Sequence, residues 1–168
     1  MFTLPQRSRR NTSTAEFARE QTMGGHPWWY LVPYEKDVAA SLETLRQREF
    51  KAGRYNPAED FPRFPVDLKH TPGCRHDSIE DAREDSDADG TRSILDVSFV
   101  RDEPDYDVVA PFDDSELMEF FGTTKPTAAH VENCDDLFEA LERGQGRYVV
   151  VYSNDQPSHI YFAGYSYD

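Results

Sequence analysis

Between Glu35 and Ala52 the apolar residues Val38, Leu42 and Leu45 fall on one stripe, with Phe50 at its edge and charged side chains on the other faces. That spacing predicts an amphipathic helix, and Gly53 stands where a left-handed C-cap would end it. Just before it, Trp28-Trp29-Tyr30-Leu31-Val32 is an aromatic and β-branched run bracketed by Pro27 and Pro33, which reads as a short strand. From Tyr55 to Gly73 the chain carries Pro57, Pro62, Pro65 and Pro72, so helix and strand ladders are both disfavoured and a long loop is expected. Its Phe61, Phe64, Val66 and Leu68 predict that the loop packs across the domain.

Ser78 with Asp81 predicts a short acidic helix ending near Ser86, and Asp113 with Glu116 a second one through Phe121, stopped by Gly122. Between them, Ser93–Val100 and Tyr106–Phe112 read as two strands of a hairpin. A further helix is expected from Thr127 to Arg143, with Val131, Cys134, Phe138 and Leu141 on its inner face, which makes Cys134 a core thiol. Gly146–Ser153 and Ser158–Tyr165, joined by an Asn154–Pro157 turn, form a closing hairpin. Their unbroken apolar runs, Val149–Val151 and Ile160–Ala163, fit central strands covered on both faces or backed by an aromatic layer. The expected fold class is α+β: a mainly antiparallel sheet of about five strands with helices packed on one side. Residues 1–25 are expected to form a flexible N-terminal tail and residues 26–168 a single domain. Within the tail, Ser13 and Glu16 could cap a brief helix, and Met23 is a candidate start of translation.

Charge narrows the partners. The net charge is −14, yet residues 1–34 hold four Arg against two Glu, so the body is more acidic than the whole. Such a surface repels nucleic acid and attracts cations or basic proteins. Cys74 and Cys134 are far apart and no leader or membrane-length apolar run is evident, which points to a reduced, cytoplasmic protein without a membrane.

Three clusters are candidates for chemistry. Residues 85–96, DSDADGTRSILD, alternate oxygen side chains around Gly90, as calcium sites do. The stretch resembles an EF-hand loop, and more closely the dockerin variant in which the twelfth position is Asp, although Arg92 replaces the usual aliphatic at the eighth. The resemblance implies side-chain ligands at Asp85, Asp87, Asp89 and Asp96, a backbone carbonyl at Thr91, and Ser93 directly or through water. An acidic helix end turning into a strand explains the same residues without metal. The second cluster is Asp67, His70, Cys74, His76 and Asp77. It offers three zinc-type ligands where a closed site needs four, or a Cys74 nucleophile with a histidine base near Tyr30 or Tyr55; a solvated loop is the alternative. The third is aromatic: Trp28 and Trp29 open the fold while Tyr161 and Tyr165 close it, suiting a binding surface or a homodimer contact.

No phosphate loop, nucleophile elbow or metalloprotease helix is present. The leading expectation is a protein that acts by protein–protein interaction with a basic partner, resembling immunity proteins in composition only. Its alternatives are an enzyme built on His70, Cys74 and His76, and a domain stabilised by calcium at 85–96.

Overall fold

The computed structural model describes residues 25–168; the capped helix at Ser13 and the start at Met23 lie outside them. In chain order the elements are β1 (Pro27–Pro33), α1 (Val38–Ala52), α2 (Ile79–Ser86), β2 (Phe99–Val100), β3 (Val108–Pro111), α3 (Asp114–Phe121), α4 (Ala128–Glu132), β4 (Gly146–Ser153) and β5 (Gln156–Tyr165). Short 3₁₀ turns occupy Asp87–Asp89, Ile94–Asp96 and Asp135–Ala140. Five strands make one sheet in the order β1-β5-β4-β3-β2.

Local signals account for most boundaries. Asp37 caps α1 by accepting the Ala40 amide at 2.7 Å, and Gly53, at φ 78°, ends it. Asp113 and Glu116 form the reciprocal capping box of α3 at 2.8 and 2.7 Å. Asn154 and Asp155, at φ 51° and 60°, make the two-residue turn whose twist suits a β4–β5 hairpin.

The sheet is mixed, not mainly antiparallel in the way the sequence suggests. β1–β5 and β5–β4 are antiparallel, whereas β4–β3 and β3–β2 are parallel, so 93–100 and 106–112 do not form a hairpin. The reason lies in α2. Arg83 donates to Ser98 Oγ at 2.6 Å and to Asp107 Oδ1 at 2.8 Å, and Asp107 O accepts the amides of both Ser98 and Phe99. These bonds hold the beginnings of the two strands side by side, which sets them parallel. The first run is also shorter than expected, because Ser93 Oγ accepts the Leu95 amide and turns Ile94–Asp96 into 3₁₀ geometry.

The helices cover both faces of the sheet, which corrects the one-sided expectation. Trp28, Tyr30, Val32, Ile160 and Phe162 pack with α1 and α2, while Trp29, Leu31, Val149, Val151, Tyr161 and Ala163 pack with α3, α4 and the 135–140 turn. Strands β1, β4 and β5 carry apolar side chains at both parities, so each face needs its own cover. The helix expected over 127–143 stops at Glu132: Asn133 Nδ2 donates to Ala129 O at 2.7 Å, taking the carbonyl that the next helical turn would use. Its apolar residues still reach the core. Val131 and Leu137 are buried, and Cys134, Phe138 and Leu141 are partly so.

The proline-rich loop packs beside β1 and forms one side of the space along it. Phe64 meets Trp29 and Tyr30, each at 5.2 Å between ring centroids, and the Gly73 amide donates to Ala52 O at 2.7 Å. Arg54 ties the loop further, bonding Glu49 through two nitrogens at 2.7 Å and His70 O at 3.0 Å.

Candidate functional site

β1 lies at one edge of the sheet, and a cleft of about 610 Å³ runs beside it. Trp29 and Leu31 form its floor, Val131 and Phe138 one wall, and Pro65 and Val66 the other. Because Tyr30 and Arg48 belong to the α1 side and Tyr161 to the opposite side, the cleft straddles the sheet edge. Its size and apolar lining fall in the range of ligand and peptide sites.

A few polar groups punctuate that lining. Tyr161 is only 4% exposed, and its hydroxyl has no hydrogen-bond partner among the described residues. Burial, then the neighbouring Cys134, Asp135 and Glu132, push its ionisation well above the usual tyrosine range, so it is a neutral donor and acceptor at physiological pH. Glu132 and Asp135 are exposed on the rim, and neither forms an ion pair among the described residues. Arg48 is already engaged by Glu49 at 2.7 Å. Among the described residues the cleft therefore offers apolar area, one hydroxyl without a hydrogen-bond partner and two carboxylates without an ion pair.

Of the four aromatic residues singled out in the sequence, Trp29 and Tyr161 line this cleft. Trp28 is wholly buried against Gly146 and Gly164, in whose place any Cβ would meet its ring at 3.0 and 2.2 Å, and so belongs to the core. Tyr165 packs edge-on against Phe138 at 6.1 Å, beside the cleft. Leu31, Glu132 and Asp135 escape a reading by sequence, since the helical pattern over 127–143 hides the break that brings 132–138 to β1. The bracketing prolines were the available signal, because they mark an edge strand.

The 85–96 residues do not converge on one point. Asp96 is buried, its Oδ1 accepting the Thr91 amide at 2.6 Å and the Thr91 hydroxyl at 2.8 Å, and its Oδ2 accepting Ser166 Oγ at 2.5 Å. Ser93 Oγ joins Thr91 Oγ1 at 3.0 Å, and the Thr91 carbonyl accepts the Asn56 amide. By contrast Asp85, Asp87 and Asp89 are exposed, and Asp89 pairs with Arg92 at 3.4 Å. Among the described residues no group of three or more His, Cys, Asp and Glu side chains is placed to hold a metal. The donor set thus does not fit a calcium ion, and millimolar calcium is expected to leave the melting temperature unchanged; a rise that Asp89→Ala abolishes would show otherwise.

The histidine and cysteine loop separates likewise. His70 Nε2 meets Glu59 at 3.0 Å, whereas His76 is held between Tyr55 Oη at 2.8 Å and Asp85 Oδ2 at 3.1 Å. The Arg75 amide donates to the Tyr55 oxygen, which favours a chain in which Tyr55 donates to His76 Nδ1 and Nε2–H donates to Asp85. Neither imidazole hydrogen-bonds the exposed Cys74. A hydroxyl–imidazole–carboxylate chain is present, but Tyr55 is buried against Phe50 with the rings stacked at 5.7 Å, so it serves to fasten the loop to α2.

Comparison of the chain with protein families, with curated proteins and with solved structures finds no match. The fold and the cleft together define a small α+β protein with a mixed five-stranded sheet and an apolar groove at its antiparallel edge. None of its helices among the described residues is long and apolar enough to cross a membrane.

Proposed function

We propose that this protein works by protein–protein interaction, taking a basic segment of a partner into the cleft beside β1. The observation that carries the reading is the meeting in one groove of Trp29 and Tyr161 with Glu132 and Asp135, which form no ion pair among the described residues. Apolar area supplies affinity once water leaves it, and carboxylates at the rim select and steer a positive partner. Ten further acidic residues between Asp77 and Asp105 are exposed, extending the negative field well beyond the groove. A cytoplasmic protein that neutralises a basic toxin or nuclease would have these properties, and pairing of two copies through the same edge is the competing arrangement.

The test is capture on the immobilised full chain in about 50 mM salt, where surface charge is little screened. A basic protein should be retained by the wild type and lost with Trp29→Asp, and Glu132→Lys combined with Asp135→Lys should weaken it about tenfold or more. Retention that neither variant changes would refute the cleft as the binding site.

A further inference from the structure

Antiparallel pairing assigns the backbone groups of β1 by parity. The Ser166 amide donates to His26 O at 3.0 Å and the Tyr34 amide donates to Ser158 O at 3.0 Å, and the register between them is unbroken. Positions 26, 28, 30, 32 and 34 therefore turn their amides and carbonyls toward β5. Trp29 and Leu31 point theirs outward, and no protein group among the described residues bonds them. Unpaired peptide groups beside apolar walls are costly to leave without partners, and water or another backbone must serve them.

We propose that the occupant of the cleft is an extended segment of a partner protein, alternating basic and apolar side chains, which adds to the sheet as a sixth strand along β1. The inference rests on the protein-binding reading above and states its mode. Two donors and two acceptors at Trp29 and Leu31 can pair with the incoming backbone whatever its sequence, while side chains supply the selection. In an added strand alternate side chains fall on opposite faces. One set would meet Tyr161, Glu132 and Asp135, which suits lysine or arginine; the other would meet Pro65, Val66 and Leu68, which suits valine or isoleucine. The cleft is lined by residues from both faces of the edge, which is what a strand needs and what a ligand lying on one face does not. Pro27 and Pro33 share this parity but lack amides, so Trp29 and Leu31 supply the outward donors of the strand while the proline carbonyls can only accept.

The probe is a fluorescent heptapeptide alternating valine and lysine, titrated with the full chain and followed by anisotropy. Two further peptides carry N-methyl groups on alternate amides, one set for each edge of the strand. The parent should bind, one methylated peptide should lose about tenfold or more, and the other should bind nearly as the parent does. Leu31→Pro removes an outward amide without touching the β5 ladder, so it should fold and lose binding to a similar degree. Exchanging Glu132 and Asp135 for lysine should shift preference to a valine–glutamate peptide. If both methylated peptides bind as the parent does, strand addition is refuted while the cleft remains a protein site. If Trp29→Asp and the charge reversal leave binding unaltered, the protein-binding reading itself falls. If the chain alone sediments as a dimer that Leu31→Pro turns to monomer, the sixth strand comes from a second copy and the basic partner is excluded.

Discussion

Replacing Asp96 with alanine is expected to cost about 3–5 kcal/mol of folding stability, a large part of what a domain of this size has. Three donors converge on this one carboxyl: the Thr91 amide, the Thr91 hydroxyl and the Ser166 hydroxyl. Alanine would leave the Thr91 amide and the Ser166 hydroxyl buried and unpaired, each at about 1–3 kcal/mol and not additively, while the Thr91 hydroxyl keeps Ser93 as a partner. It would also free Ser166 from the turn at Gly90, which is so closely packed that a Cβ added to Gly90 would lie 3.1 Å from Asp96 Oδ1 and 3.3 Å from Ser166 Cβ. Asparagine preserves the shape and should cost less than half as much.

The same carboxyl should make stability depend on pH. Burial raises its pKa, outweighing the three donors and the more distant Arg83. A carboxyl whose folded value is raised holds its proton more tightly when folded. Its contribution is therefore greatest below the ordinary carboxylate range and declines as pH rises through the interval up to the folded value. Urea unfolding across that interval should show the wild type losing ground against Asp96→Asn as pH rises. Parallel curves, or alanine and asparagine variants of equal stability, would show that the carboxyl is not the hub of this corner of the fold.

Substituting valine for Gly53 is expected to cost about 3 kcal/mol or more and, unlike the change at Asp96, to damage the cleft directly. Gly53 lies at φ +78°, and a Cβ there would sit 2.2 Å from the Gly73 carbonyl oxygen. That neighbour is backbone, so the loop must move. The shift would break the Gly73–Ala52 hydrogen bond and loosen the segment that contributes Pro65, Val66 and Leu68 to the cleft wall. Faster tryptic cleavage at Arg63 and Lys69, together with weaker peptide binding, should accompany the lost stability. A variant that melts lower yet is cleaved and binds as the wild type does would separate the loop from the cleft.

How much could be read from the chain depended on range. The stripe of α1 with its Gly53 stop, the Asp113–Glu116 box, the Ser78 cap and the closing hairpin are each written within a few neighbouring residues, and each is found. The span 127–143 shows where periodicity misleads: its apolar spacing fits a helix, but the Asn133 side chain competes for a helical carbonyl and wins. At 85–96 the calcium-like spacing is real in one dimension only, because Asp96 turns inward to Ser166, seventy residues away, with Thr91 and Ser93 buried beside it, while Asp85, Asp87 and Asp89 are exposed and Asp85 and Asp89 take other partners, His76 and Arg92.

By itself the sequence determined most of the local elements, the acidic body and the unbroken apolar runs of β4 and β5. Only the tertiary structure decided the strand order, the parallel edge set by Arg83, and the union of 29–31, 65–68 and 131–138 in one cleft. The division follows from physics: caps, turns and periodicity act over a single turn or pleat, whereas an edge, a wall and a rim are made by side chains distant in sequence. Which of those meet depends on the free energy of the whole packed chain.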